Sequence, residues 1–334
     1  MNHRSDANRW GVILSLVGLV SVLLGTMAGS QGWQLWWSVG QDAVSQQIVM
    51  DIRLPRSLGA WLGGALLGLA GAVAQGLFRN PLADPYLLGS ASGASLGVGT
   101  YLSLFGGSAW ALSWWSGLGL TGAAFVGAVL AVLLTLLLAR GVQQTLRLLL
   151  AGVVVGVVLG AVTSMLSLLQ PQVLQAMQGF MLGSTAFVGW SACATLGLVL
   201  MLCLVLAWVF ARVLDALTLG EATAQSLGVP LRLARLVLVG VLSLATGAAV
   251  AHIGLVAFVG LAAPHLVRSL VRTTHDRSLL LAALMGGALL ALADALARVL
   301  FAPQELPVGV LTAVIGGAYL LWRVYRDSHT GGAR

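Results

Sequence analysis

The chain has 334 residues, of which 59% are hydrophobic and only 8% are charged. Soluble domains carry about 25% charged residues, so this composition excludes an ordinary soluble protein and indicates a polytopic membrane protein. The formal charge of +7 comes from 17 arginines, because the sequence contains no lysine. A Walker A phosphate loop and a Schiff base both require lysine, so neither is expected in this chain.

Apolar runs recur along the whole chain and determine the predicted fold. Each run is about 20 residues long, which is enough to cross a hydrocarbon core of ~30 Å. The sequence therefore predicts an all-α membrane protein with about ten transmembrane helices in a single polytopic domain, residues 1–334. The predicted spans are 11–28, 57–77, 87–105, 117–139, 147–169, 190–211, 234–251, 254–270, 279–301 and 307–325.

The first span is longer than the 7 to 15 residues of a signal-peptide core, so we expect it to remain in the mature protein.

Arginines are distributed unevenly between the two sides of the predicted spans. Alternating the loops places fourteen arginines on one side and only Arg53, Arg56 and Arg298 on the other. Positive loops are typically cytoplasmic, so both termini are predicted to be cytoplasmic and these three arginines to lie outside. The arginines form no basic stripe, so nucleic-acid binding is not expected.

Small residues are abundant in several spans. Gly152, Gly156 and Gly160 recur at four-residue spacing in the fifth span. Such a stripe lets helix backbones approach closely. It could equally line a pathway that is wide enough for a bulky solute, and the sequence leaves both interpretations open.

Two connecting segments on the predicted cytoplasmic side carry distinct patterns. In FRNPLADPYLLG, residues 78–89, Pro81 and Pro85 are expected to end one helix and begin the next. Residues 212–236 are amphipathic and are predicted to form two short helices at the cytoplasmic surface. These helices either lie in the lipid interface or form a docking site for a cytoplasmic partner.

Few ionisable residues fall within the spans. Asp294 lies one helical turn before Arg298, so the two side chains could pair with each other. A single acid beside an arginine is a poor proton relay, which argues against an ion-coupled secondary transporter. The sequence GSASG, residues 89–93, does not match the G-x-S-x-G pattern of a serine nucleophile, and an intramembrane protease is therefore not favoured.

The histidines predict no metal site. No two of them have metal-ligand spacing on one helix. His252 is the only histidine near a predicted solute entrance. It lies in the sequence AHIG, which is the short break between the seventh and eighth spans. It is either a structural histidine or a contact for the solute.

Long blocks of the sequence resemble a known permease family. The blocks are RLPRSLGAWLGGALLGLAG from Arg53, RLLLAGV from Arg147, LTLGEATAQSLGV from Leu217, FVGLAAPHLVR from Phe258 and ADALARVLFAPQELPVGVLTAVIGG from Ala293. They are similar, in the same order, to the permeases that import ferric siderophores, haem and cobalamin. The segment AHIGLVAFVGL departs from the family, which tends to have a shorter Gly-Pro-Ile-Gly-like turn before Phe258.

The resemblance implies the membrane subunit of a type II ATP-binding-cassette importer in a bacterial inner membrane. It implies a homodimer around one pathway, surrounded by membrane lipid. It also implies two cytoplasmic ATP-binding subunits and a periplasmic solute-binding protein. It also implies that ATP is used by the partner subunit, so that this chain is not an enzyme and binds no cofactor. Haem is the preferred solute because few polar groups lie within the spans. Cobalamin or a ferric siderophore is the alternative.

The resemblance also implies roles for particular residues. Positively charged residues of the outer side match positions that pair with acids of the binding protein, and their alternative role is to anchor the chain at the lipid interface. The implied docking residues are Arg53, Arg56 and Arg298; the implied ATPase-coupling residues are Leu219, Gly220, Glu221, Ala224, Leu227 and Gly228; the implied cytoplasmic gate is Gln144, Thr145 and Leu146.

Overall fold

The computed structural model describes residues 3–29, 32–33, 43–106, 115–139, 145–226 and 228–330. Within these ranges the chain is almost entirely helical, which confirms the predicted all-α class. One small antiparallel pair joins β1, Ala28–Gly29, to β2, Gly32–Trp33.

Between residues 3 and 182, the described part of the chain contains seven α-helices. Helix α2 continues through a π-helical turn, Val49–Arg53, into α3, and a 3₁₀ turn, Pro85–Leu88, precedes α4. The helices are α1 His3–Met27, α2 Ala43–Ile48, α3 Leu54–Phe78, α4 Ser90–Phe105, α5 Trp115–Leu138, α6 Thr145–Leu169 and α7 Pro171–Leu182.

The described part of the second half contains seven more. Two of them, α9 and α10, are short and lie between two long helices, as the amphipathic pattern of 212–236 predicts. The helices are α8 Trp190–Val209, α9 Ala211–Thr218, α10 Glu221–Ser226, α11 Leu231–Ile253, α12 Val259–Leu270, α13 His275–Val299 and α14 Val308–Thr330.

Seven stretches of the described residues are long and apolar enough to cross a membrane. They are Asp6–Met27, Ala43–Phe78, Gly119–Leu138, Leu146–Leu169, Trp190–Val209, Leu231–Ile253 and His275–Val299. The other three predicted spans correspond to shorter helical stretches, namely α4 with 16 residues, α12 with 12 residues and the apolar Val308–Trp322 part of α14. Each predicted span thus contains a helix, while a count of ten membrane crossings remains a prediction.

Helix α3 is the centre of the packing. Of its most apolar stretch, 89% is buried inside the protein, and it contacts α1, α8, α11, α12 and α13. Glycines make these contacts close, because a Cβ at Gly64 or Gly68 would overlap the carbonyl oxygens of Gly286 and Ala282 on α13. Pro55 in the first turn has the fixed φ that favours helix initiation. Helices α3 and α13 therefore form a tightly packed pair, as small-residue interfaces in membranes do.

Other long helices are far less covered. The spanning stretches of α1, α5, α6 and α8 are only 22–28% buried. Their exposed side chains are mostly leucine and valine, which suits contact with lipid or with another membrane subunit.

The connection between α3 and α4 is stabilised by local hydrogen bonds. Arg79 ends α3 in the left-handed conformation, and the Asp84 carboxylate accepts a 2.8 Å hydrogen bond from the Tyr86 backbone N–H. The Tyr86 hydroxyl donates a 3.0 Å hydrogen bond to the carbonyl of Val256. Burial raises the pKa of both Asp84 and Tyr86. The end of α3 before Arg79 and the 3₁₀ turn that begins at Pro85 confirm the helix end and restart predicted from Pro81 and Pro85.

A short break separates α11 from α12, where the sequence left the seventh and eighth spans poorly divided. Helix α11 ends at Ile253, and Gly254 has a φ of 68°, which favours glycine. Phe258 also has a φ of 68°, an uncommon value for a side chain of this size. The packing around the break supports this backbone. The Phe258 side chain lies against Gly316 of α14, where an added Cβ would be only 2.4 Å from the Phe258 Cβ.

Candidate functional site

A cluster of charged residues lies where the N-terminal end of α3 meets the C-terminal end of α13. At its centre Asp294 is fully buried. Its carboxylate accepts hydrogen bonds from Arg298 and from the Thr185 hydroxyl, and it lies 3.5 Å from Nη2 of Arg56. We call Arg56, Thr185, Asp294, Arg298 and Glu305 the arginine cluster.

Arg298 is an internal residue of this cluster. Only 1% of it is exposed. Besides pairing with Asp294, it donates a 2.8 Å hydrogen bond to the carbonyl of Gly25 and a 2.9 Å hydrogen bond to the Ser57 hydroxyl. Its donors are engaged inside the chain, and the pair with Asp294 that the sequence left open is present. That pair is compatible with docking, so the docking role of Arg298 remains a prediction.

Arg56 lies at the edge of the cluster. Its guanidinium is 2.8 Å from Glu305 and donates a 3.3 Å hydrogen bond to the Thr185 hydroxyl. The Arg56 side chain retains 11% exposure and that of Glu305 retains 35%, so this pair is the part of the cluster that solvent reaches. Arg56 can therefore meet an incoming carboxylate only by sharing or exchanging Glu305.

Arg53 lies one turn before Arg56 and is half-buried. Its Nη1 donates a long, 3.5 Å hydrogen bond to the carbonyl of Thr26 at the end of α1. This position is compatible both with anchoring at the interface and with docking, so the docking role of Arg53 remains a prediction.

The second candidate region, the α9–α10 segment, is at the opposite ends of α3 and α13. Gly220 and Gly228 have positive φ values of 103° and 74°, which bend the chain on either side of α10. Ala224 is fully buried, whereas Leu219 is 65% exposed. Leu227 lies outside the described residues. Leu219 and the exposed residues of α10, Ala222, Thr223, Gln225 and Ser226, are available to a partner.

Glu221 points inward from this segment. One carboxylate oxygen lies 2.6 Å from Nη2 of Arg235 and 3.4 Å from Nη2 of Arg79. Its negative charge also sits in the first turn of α10, where it is favoured by the helix dipole. The carboxylate is thus engaged within the chain, which differs from a role in direct contact with an ATPase.

The predicted gate and pathway residues have mixed outcomes. Gln144 lies outside the described residues, α6 begins at Thr145, and Leu146 is 69% exposed at the start of α6. Gly152 is a packing residue, because a Cβ there would overlap the carbonyl of Leu87. This contact agrees with the close-packing interpretation of the stripe, and its pathway role remains a prediction.

Further along the same helix, Gly156 and Gly160 leave more room. A Cβ at Gly156 would lie 3.7 Å from the Ser92 hydroxyl, and one at Gly160 would lie 4.0 Å from it. The broad open face of α6 carries Leu146, Leu150, Val153, Val154, Val157 and Val158 instead.

His252 makes a local contact at the end of α11. Its Nδ1 is 3.0 Å from the carbonyl of Ala248, one turn earlier. The side chain is half-buried, so a structural hydrogen bond accounts for one ring nitrogen, and a solute contact through the rest of the ring remains a prediction. Among the described residues, no group of three or more histidine, cysteine and acidic side chains could hold a metal ion.

Several residues of both regions are absent from the sequence-based prediction. Thr185 and Glu305 complete the arginine cluster, and Arg235 pairs with Glu221. Asp215 accepts hydrogen bonds from both the backbone and the ring of His275. All four contacts join residues at least 14 positions apart, so helix periodicity could not have indicated them.

Comparisons with known proteins agree with this architecture. Residues 13–326 match the FecCD transport family. The hemin transport system permease protein HmuU of Yersinia pestis is 37% identical over 318 residues, which cover 95% of this chain and 94% of HmuU. The vitamin B12 import system permease protein BtuC of Shigella boydii serotype 18 is 38% identical over 319 residues, or 94% of each chain.

A solved structure extends the agreement to three dimensions. It shows an inward-facing conformation of a metal-chelate type ABC transporter, and it superposes with a TM-score of 0.84 at 30% identity. The superposition covers 96% of this chain and 99% of the other. With sequence and fold in agreement over nearly its full length, this multi-pass membrane chain belongs to the FecCD transport family.

Proposed function

We propose that this chain is the transmembrane subunit of an ATP-binding-cassette importer that moves a large metal chelate from the periplasm to the cytoplasm. The observation that carries the proposal is the identity of 37% and 38% to permeases of hemin and vitamin B12 transport, over at least 94% of each chain. The chain would provide the route, and ATP hydrolysis would take place in separate subunits.

The partners follow from the two ends of the α3–α13 pair. The α9–α10 segment, with Leu219 exposed at its tip, is the proposed contact for a cytoplasmic ATPase. The arginine cluster, with Arg56 at its edge, is the proposed contact for a periplasmic binding protein, because a guanidinium pairs well with a carboxylate. Two copies of the chain would enclose one pathway, and the open apolar face of α6 is a candidate lining.

Transport would proceed by alternating access. Docking of a loaded binding protein and closure of the ATPase subunits would each favour a different packing of the central helices. Weak, mostly apolar contacts along the route suit this task, since tight binding would slow release.

The solute is proposed as a large metal chelate. Haem and cobalamin are supported equally by the two relatives, and a preference for haem rests only on the scarcity of polar groups within the spans. A ferric siderophore is the third candidate of the same size class.

The experiment is a measurement of ATPase activity after reconstitution in liposomes with the cognate ATPase and binding protein. The binding protein is supplied empty or loaded with haem, cobalamin or a ferric siderophore. We expect one solute to give the largest stimulation and to accumulate inside. Stimulation by none of the three would contradict the chelate assignment. Uptake driven by an ion gradient without the ATPase would instead support a secondary transporter.

A further inference from the structure

We propose that two ion-pair contacts tie the α9–α10 segment to the ends of α3, α11 and α13, and that these contacts pass motion of the segment to the helices that carry the arginine cluster. The inference rests on the proposed function. It assigns Glu221 and Asp215 as positioning residues of the importer, in addition to the exposed tip that would meet the ATPase.

The first contact is centred on Glu221 at the start of α10. Its carboxylate joins Arg235 near the start of α11, at 2.6 Å, and Arg79 just after α3, at 3.4 Å. The Arg235 side chain is only 6% exposed, while that of Arg79 is 41% exposed. One carboxylate therefore connects three elements through an inner and an outer arginine.

The second contact is centred on Asp215 in α9. One carboxylate oxygen accepts hydrogen bonds from the His275 backbone N–H, at 3.1 Å, and from the His275 ring, at 2.6 Å. An acid at this position also faces the positive N-terminal end of α13. The other ring nitrogen of His275 lies against Gly76 of α3, where a Cβ would be 3.1 Å away. Asp215 thus reaches the α3–α13 pair at the end where the two helices meet.

The same two helices carry the arginine cluster at their other ends. Helix α13 runs from His275 to Arg298 within one unbroken helix, a length of about 35 Å at 1.5 Å per residue. Helix α3 runs beside it from Arg56 to Gly76, and glycine contacts at Gly64 and Gly68 hold the pair together. Displacement of the α9–α10 segment would therefore act directly on the helices beneath the proposed binding-protein contact.

Removal of these contacts should leave the fold intact. The segment is also held by apolar burial, since Leu214, Leu217 and Ala224 are at most 1% exposed. Asp215 is 36% exposed and His275 is 22% exposed, so this pair contributes little to folding stability. Loss of the Glu221 carboxylate costs more, because the Arg235 side chain is only 6% exposed, although the amide oxygen of Glu221→Gln can still accept a hydrogen bond from it. Loss of the carboxylates would make the orientation of the segment relative to α3, α11 and α13 less fixed without unfolding it.

The test uses the complete permease–ATPase complex in lipid nanodiscs and compares Glu221→Gln, Asp215→Asn and the double variant with the unmodified chain. We expect all three to copurify with the ATPase, and stimulation is scored relative to the basal ATPase rate of each variant. Stimulation by the loaded binding protein should fall, by about fivefold or more in the double variant, which is the scale of a typical coupling between sites.

Two further variants isolate the cause. The charge exchange Glu221→Arg with Arg235→Glu should restore part of the stimulation, because it rebuilds the inner pair in reverse but places the new arginine beside Arg79. Asp276→Asn is the matched control, since Asp276 adjoins His275 but, within the described part of the chain, its carboxylate accepts a hydrogen bond from Thr274 at the start of its own helix. It should keep full stimulation.

Each contrary outcome is informative. Full stimulation in the double variant would reject the inference, as would loss of copurification, which would make Glu221 or Asp215 a direct ATPase contact. Should Glu221→Gln fail to fold, Asp215→Asn carries the same prediction alone. An unmodified complex that the loaded binding protein does not stimulate would contradict the proposed function itself.

Discussion

The two charged regions of this protein use the same chemistry in different surroundings. In the arginine cluster the central acid, Asp294, is fully buried beside an equally buried Arg298. In the α9–α10 segment the acids Glu221 and Asp215 retain about a third of their exposure. The comparison teaches that burial, and not the presence of an ion pair, separates a fixed structural contact from an adjustable one.

The energetic reason is the cost of removing a partner. A buried charge that loses its partner remains in a low-dielectric environment with nothing to compensate it, which costs about 3–5 kcal/mol. An exposed charge that loses its partner regains water, and the loss is about 0–1 kcal/mol. The arginine cluster should therefore resist change, whereas Asp215 of the α9–α10 segment can be altered with little effect on the fold. Glu221 is intermediate, because its partner Arg235 is only 6% exposed.

Asp294→Ala gives the largest expected effect. It leaves Arg298 and Arg56 without their shared carboxylate, and we expect the apparent free energy of unfolding in detergent to fall by about 3–5 kcal/mol. A denaturant titration of the purified permease measures this change.

The control for Asp294 removes both buried charges. Asp294→Leu with Arg298→Met replaces the pair by apolar side chains of similar size, and such replacements are often neutral. The double variant should be more stable than Asp294→Ala. If the free energy of unfolding of Asp294→Ala lies within about 1 kcal/mol of that of the unmodified chain, water reaches this site as it reaches an exposed ion pair.

The link between the two regions can be broken separately. Gly64→Ala introduces a Cβ that overlaps the carbonyl oxygen of Gly286, so α3 and α13 must move apart. Overpacking of this kind costs about 1–3 kcal/mol, and we expect lower thermal stability together with weaker stimulation by the binding protein.

Gly240→Ala is the matched control for this change. It adds the same methyl group to α11, where nothing lies within 4 Å of the new Cβ, and it should be neutral or slightly stabilising. Equal behaviour of the two variants would contradict a close-packed α3–α13 pair.

The sequence predicted the helices of this fold well and the details of its charged regions poorly. Apolar runs indicated every long helix, and Gly, Pro and charge patterns placed the α9–α10 segment correctly, because these signals are local. The short helix α7 escaped notice, since Pro171–Leu182 is neither long nor uniformly apolar.

Long-range pairing explains what the sequence could not indicate. The outward position of Arg298 followed from counting loop charges, but that count does not distinguish a side chain facing solvent from one facing Asp294. The family resemblance implied a coupling role for Glu221, and nothing in the sequence relates this residue to Arg235, which is 14 positions away in another helix. Gly152 likewise has the spacing of a pathway residue, yet its neighbour, the carbonyl of Leu87, comes from a distant turn.

The smallest expected effect concerns Glu305, the exposed member of the arginine cluster. Because Glu305 already holds Arg56 at 2.8 Å, an acid of the docking protein must compete with it. Glu305→Gln should therefore tighten binding-protein association by roughly threefold to tenfold at low salt, with a smaller gain at high salt because screening weakens charge pairing. Surface plasmon resonance on nanodisc-embedded permease measures the rates, and the gain should appear mainly in the association rate.

Gln304→Glu is the opposing control, since it adds an acid next to Glu305 and should weaken association. If Glu305→Gln leaves the affinity unchanged at every salt concentration, Arg56 is an anchor of the fold and not a docking residue, and the arginine cluster is structural throughout.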